Sequence, residues 1–166
     1  MIEAIKSYFW DPETERRETF LRGVPLFERL GRRDLARLAS IMTECAYSEG
    51  ETVFREGDVG RALALVCSGR IEISRSLAGG KSVTLRLVEP GGYIGEMALL
   101  DEAPRSATAV AVEASRVYLL HKARLSGLML SRPAMGMQII GEFGKLLAKR
   151  FREAETKALL AAETPR

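Results

Sequence analysis

Histidine occurs once in the 166 residues, cysteine twice and tryptophan once. A zinc site needs about four ligands, and His121, Cys45 and Cys67 do not supply them. Neither cysteine belongs to a CxxC pair, so both read as buried free thiols. No apolar run approaches the roughly 18 residues of a membrane span. The start MIEAIKSYFW lacks the basic stretch, apolar run and cleavage site of a secretory signal, which predicts a cytoplasmic protein. Charge of one sign is also missing. Lys and Arg number 25 against 22 Asp and Glu, a net +3 that is interspersed and not blocked. That balance suits an anionic ligand better than a nucleic-acid tract. There is no G-x-S-x-G nucleophile motif and no cluster of His and carboxylates for a metal, so the sequence predicts neither an enzyme nor a metal protein. Internal repeats and low-complexity linkers are absent too.

What is present is 46% hydrophobic and organised in three parts. Residues 1–45 read as helical, 46–121 as a β-barrel and 122–166 as helices again. Ile2, Ile5 and Phe9 fit one face of a short helix. Asp11 and Pro12 fit the cap and first position of a second, which Gly23 ends. VPLF forms a turn with apolar anchors, and Leu35, Leu38, Ala39 and Met42 repeat at helical spacing. From Tyr47 the pattern becomes period two. Ile71 and Ile73 alternate with Glu72 and Ser74, and Val83, Leu85 and Leu87 alternate with Thr84 and Arg86, with turn residues between the runs. LAGGK reads as a hairpin turn. The fold class is therefore α+β, an antiparallel β-barrel or jelly roll flanked by N-terminal helices and a long C-terminal helix.

The stretch GEMALLDEAPRSATAVA, 95–111, opens on Gly95 and Glu96 and holds a single arginine, Arg105. Gly95 permits close backbone approach. Glu96, Met97 and Ala98 begin a stretch long enough for about one helical turn, whose free N–H groups favour an anion. Pro104 fixes the loop. Arg105 offers a planar fork of donors that suits a phosphate. Ser106 adds a hydroxyl, and Ala107 lets its own N–H approach. Glu96 is wrong for a phosphate but right for a sugar hydroxyl. Together these residues point to a ligand with a phosphate and a free ribose hydroxyl. The other reading is a structural Glu96–Arg105 ion pair across a loop.

This stretch resembles the phosphate-binding cassette of cyclic nucleotide-binding domains, the family of the bacterial catabolite activator and the protein kinase A regulatory subunits. Gly95, Glu96, Ala98, Leu99, Pro104, Arg105, Ser106, Ala107 and Thr108 match its pattern. VPLFERLGRRDLARLA resembles the family's helical lead-in. YSEGETVFREGDVGRALALVCSGRIEI resembles its early strands, with Gly50, Gly57, Asp58, Gly60 and Gly69 at turns. The resemblance implies cyclic AMP or cyclic GMP as ligand and no metal. It implies that Glu96 meets the ribose and that Arg105, Ser106, Ala107 and Gly95 meet the cyclic phosphate, with Met97 and Ala98 in the cassette helix. Ile73, Leu85, Arg86 and Val88 fall near the purine. Arg86 is long and charged where smaller residues are common, and either touches the base or faces solvent.

Pro133 opens a long helix on which Met137, Ile140, Gly144, Leu147 and Phe151 repeat like a coiled-coil seam, with Ile139, Phe143 and Leu146 broadening the apolar face. That face packs either on its own barrel or on a second copy in a homodimer. Lys145, Lys149, Arg150, Arg152, Glu153 and Glu155 read as a solvated polar face. The tail is too short for a helix-turn-helix, which needs on the order of 60 residues, so no direct DNA binding is expected. The sequence thus predicts a non-catalytic sensor that signals through its helices to a protein effector. A ligand-independent interaction module of the same fold is the alternative.

Overall fold

The computed structural model describes residues 12–163 apart from 102. The expectations for Ile2, Ile5, Phe9 and Asp11 lie outside the described residues. The chain runs α1 (Pro12–Arg22), α2 (Arg32–Ser40), β1 (Thr43–Tyr47), β2 (Thr52–Phe54), β3 (Ala62–Ser68), β4 (Ile71–Ser76) and β5 (Ser82–Val88). It continues with β6 (Tyr93–Ile94), α3 (Met97–Leu100), β7 (Thr108–Ala111), β8 (Ser115–His121), α4 (Lys122–Ser131) and α5 (Pro133–Glu163). Helices, β-domain and helices therefore follow one another in the anticipated order. The first strand opens at Thr43, slightly ahead of the expected boundary at 46.

Eight antiparallel strands form two four-stranded sheets, ordered β1-β8-β3-β6 and β2-β7-β4-β5, with jelly-roll character and no closed barrel. β3 explains how the layers assemble. Its run Ala62–Val66 is buried on both faces, so it reads as unbroken apolar sequence. Leu63 and Leu65 point outward into one core with Tyr118 and Leu120 of β8. Ala64 and Val66 point inward into a second core between the sheets, with Ile71, Ile73, Val88, Ala109 and Ala111. Alternate burial of successive residues follows from the two-residue period of a strand.

The outer core is closed by helices. Leu35, Leu38, Ala39 and Met42 are all buried there, as their spacing predicts, with Val24, Leu26 and Phe27 from the turn before them. Met135, Ile139 and Phe143 of α5 join the same core, with Leu146 packed against it. The residues of α5 divide by face. One stripe packs on its own domain, while Met137 (73% exposed), Ile140 and Phe151 (66% exposed) point to solvent.

β5 departs from the simple alternation. Ile73 pairs with Arg86 but Ser74 pairs with Thr84, so Leu85 is an extra residue in the ladder. Such a bulge re-aims side chains. β5 is an edge strand, and only Val88 of its seven residues is buried.

Candidate functional site

A cavity of about 300 Å³ opens between the inner sheet faces and the loop from Gly95 to Ala107. Its lining joins Phe54 of β2, Ile73 and Leu85 of the β4–β5 pair, the loop residues, and Arg150 of α5. These positions are far apart in sequence, and the sheets bring them together.

Arg105 is fixed from every side. Its backbone N–H donates to Asp58 O at 2.8 Å, and its carbonyl accepts the N–H of Gly57 at 2.8 Å. The REGD turn before β3 thus grips the loop. The guanidinium donates from Nη2 to Ala62 O at 2.6 Å and from Nη1 to Gly95 O at 3.2 Å. It lies 4.0 Å from the Phe54 ring centroid, a cation–π contact. Burial pulls its pKa below the ordinary arginine value, against a smaller opposing effect of Asp58. Nε is buried with no hydrogen-bond partner among the described residues. A buried unpaired donor on a cation is costly.

Gly95 makes this placement feasible. Its φ is +77°, the left-handed region where side chains are disfavoured. A Cβ there would also collide with the Arg105 guanidinium, 2.9 Å from Cζ. Thr108, a matching residue of the motif, is structural: its Oγ1 accepts the N–H of Glu56 at 3.0 Å.

Glu96 is 3% exposed and does not pair with Arg105. Its carboxylate is held by the guanidinium of Arg150, 54 residues further on. The simple Glu96–Arg105 ion pair considered from sequence is therefore not formed. Arg150 was read as part of a solvated face, and that reading is corrected. It lies 5.9 Å from the Tyr93 ring centroid and closes one side of the cavity. Burial lowers its pKa, and the nearby Arg86 lowers it further.

The other residues singled out from sequence are placed as follows. Gly95, Met97, Ser106, Ala107, Ile73, Leu85 and Arg86 line the cavity. Ala98 is in α3. Val88 is packed in the inter-sheet core and is not part of the lining. Sequence reasoning missed Phe54, the Ala62 carbonyl and Arg150. Their only signal is spatial. His121 ends β8 and is half-buried. Among the described residues, no group of three or more His, Cys, Asp or Glu could hold a metal ion, and no helix is long and apolar enough to cross a membrane.

Two antiparallel sheets with flanking helices and a cavity closed by one loop define the architecture, and comparison with known proteins makes the class specific. The family model for the cyclic nucleotide-binding domain matches residues 44–132. The chain belongs to that family. It is 37% identical over 147 residues to the cyclic AMP receptor protein of Thermus thermophilus, covering 88% of this chain and 66% of that protein. It is 32% identical over 151 residues to a cAMP-dependent protein kinase regulatory subunit of Mycosarcoma maydis, covering 89% of this chain and 27% of that protein. The crystal structure of the Thermus thermophilus catabolite activator protein superposes with a TM-score of 0.75 at 37% identity, over 83% of this chain and 63% of that one. The chain thus spans less than two thirds of the length of these relatives.

Proposed function

We propose that this chain is a non-catalytic regulatory module that binds a cyclic nucleotide, cyclic AMP or cyclic GMP, in the cavity beneath α5. The observation that carries the reading is the Arg105 guanidinium, held by two carbonyls and a ring while its Nε stays free and buried. Arg105 and the Ser106 hydroxyl take the cyclic phosphate, beside the N–H groups near Gly95 and Ala107. Glu96 accepts the ribose hydroxyl. Ile73 and Leu85 flank the purine, and Met97 closes the cassette side. No bond of the ligand needs to break, and the cavity lining offers no activated nucleophile.

The route to an output runs through Glu96. A carboxylate committed to Arg150 must share its lone pairs with an incoming ribose hydroxyl. Ligand binding therefore changes what holds this part of α5. A ligand shifts an equilibrium only by its differential affinity for two states, and the Glu96–Arg150 pair is where the two states differ. The exposed Met137, Ile140 and Phe151 on the opposite face are the surface offered to a second copy or to a protein effector. Thermal unfolding with either nucleotide tests the reading. At about 100-fold excess over Kd the ligand stabilises by about 2.7 kcal/mol. Arg105→Ala should show no shift, while unchanged melting of the wild-type protein with both nucleotides would refute the proposal.

A further inference from the structure

A second polar cluster lies on the face of β3 turned toward the outer core, away from the cavity. Val66 pairs with Val117 and Ser68 with Arg116, so Cys67 is an extra residue in the ladder. Its half-buried thiol packs against the outer core. Tyr118 of that core is fully buried, and its hydroxyl has no hydrogen-bond partner among the described residues. Leaving a buried polar group so is costly. Burial raises the pKa of the hydroxyl, the Cys67 sulfur raises it further, and Arg16 opposes them. Sulfur and hydroxyl are thus close neighbours. A neutral thiol is a weak acceptor, and it leaves the hydroxyl unsatisfied. The surroundings are rich in arginine. Arg17 lies 5.6 Å from the Tyr118 ring centroid, and its Nε is also buried without a partner among the described residues. Arg116 donates from Nε to the Ser68 hydroxyl at 3.3 Å. Arg16 is shared between Glu13 and Glu44. Cys45 is an internal contrast. It is equally half-buried, but it packs against the inter-sheet core and acts on Tyr47, which also feels Glu51.

We infer that Cys67 is a redox-modification site, oxidised by hydrogen peroxide to a sulfenic acid that the Tyr118 hydroxyl holds. The inference does not depend on the reading of the cavity. The thiolate is the reacting form, and neighbouring cations favour it. The thiol first releases its proton. The sulfur anion then attacks one peroxide oxygen, and the O–O bond breaks as the S–O bond forms. Sulfur gives up two electrons. The second oxygen leaves as hydroxide and takes up the released proton as water. The Tyr118 hydroxyl donates to the sulfur anion and afterwards to the oxygen bound to it, an acceptor that the neutral thiol does not offer. The buried donor is satisfied in the modified protein, and Arg16 and Arg17 offset the charge that develops on the way.

The test treats the reduced, folded protein with hydrogen peroxide in the presence of dimedone, which traps sulfenic acid. Peptide mass spectrometry follows labelling at Cys67 and Cys45 separately. Cys67 should label about tenfold or more faster than Cys45, the effect of one charge-assisted hydrogen bond. Tyr118→Phe keeps the ring that meets Phe20 and Arg17 and removes only the hydroxyl. It should melt no lower than the wild-type protein, because an unsatisfied buried group is gone. It should also slow labelling of Cys67 by about fivefold or more and leave Cys45 unchanged. Equal labelling of the two cysteines, no labelling of Cys67, or an unchanged Cys67 rate in Tyr118→Phe would overturn the inference.

Discussion

Arg105 has three structural contacts to its guanidinium, so its loss is felt in the pocket first. Charge-assisted hydrogen bonds are each worth about 1.5–3 kcal/mol. Arg105→Ala should therefore weaken nucleotide binding by roughly 100-fold or more, measured by titration, while circular dichroism stays native. Gly95→Ala is a complementary experiment, because it removes no proposed ligand-contacting side chain and instead forces the Arg105 guanidinium to shift. The left-handed φ costs about 1–2 kcal/mol for any side chain, and the new methyl meets the guanidinium. Both stability and affinity should fall. The Gly–Glu and Pro–Arg–Ser spacing was legible because local sequence encodes a local loop. Phe54 and Arg150 were not, since each reaches Arg105 or Glu96 from another part of the chain. Nothing in the neighbours of Arg150 distinguishes it from the solvated arginines around it.

At the scale of the element, α5 carries two apolar stripes with different partners. Pattern alone revealed that the helix was apolar on more than one side. Which stripe meets the protein's own core depends on where α2 and β8 present Leu38 and Leu120, and that is a tertiary matter. Phe143→Ala should cost about 3–5 kcal/mol in chemical denaturation, because the ring is 1% exposed. Phe151→Glu should change monomer stability by about 0.5 kcal/mol or less. Analytical ultracentrifugation of that variant then reports whether the exposed stripe holds two copies together.

The packed part of α5 also carries Glu142, which accepts from Lys145 at 2.7 Å and pairs with Arg29 at 3.3 Å. The Lys145 hydrogen bond holds its pKa below the ordinary value, with Arg29 a smaller contributor. Because the folded value is depressed, the contribution is complete above the ordinary glutamate pKa of about 4.3. It is lost as pH falls through the depressed value. Glu142→Gln should melt closer to the wild-type protein in acid than at neutral pH, and an equal gap at both would contradict this assignment.

Across the whole molecule, the two cores divide the work. The outer core fixes the helices on one sheet, and the inter-sheet core leaves a cavity at the cassette. The fold class was readable because strand and helix periods differ so clearly along the chain. The open two-sheet form and the Leu85 bulge were not, since a one-residue irregularity leaves no periodic trace. Glu96 and Arg150 link the two regions, so occupancy of the cavity should be felt along α5. Hydrogen exchange in α5 near Arg150 should change when nucleotide binds the wild-type protein and stay unchanged in Arg105→Ala.

The central claim is that the cavity is a cyclic-nucleotide site built on Arg105. Calorimetric titration of the folded protein with cyclic AMP and cyclic GMP, beside Arg105→Ala, tests it most directly. The account predicts binding of at least one nucleotide near micromolar, about −8 kcal/mol, and its loss in the variant. Absence of binding to folded, ligand-free protein, or equal binding by Arg105→Ala, would contradict it.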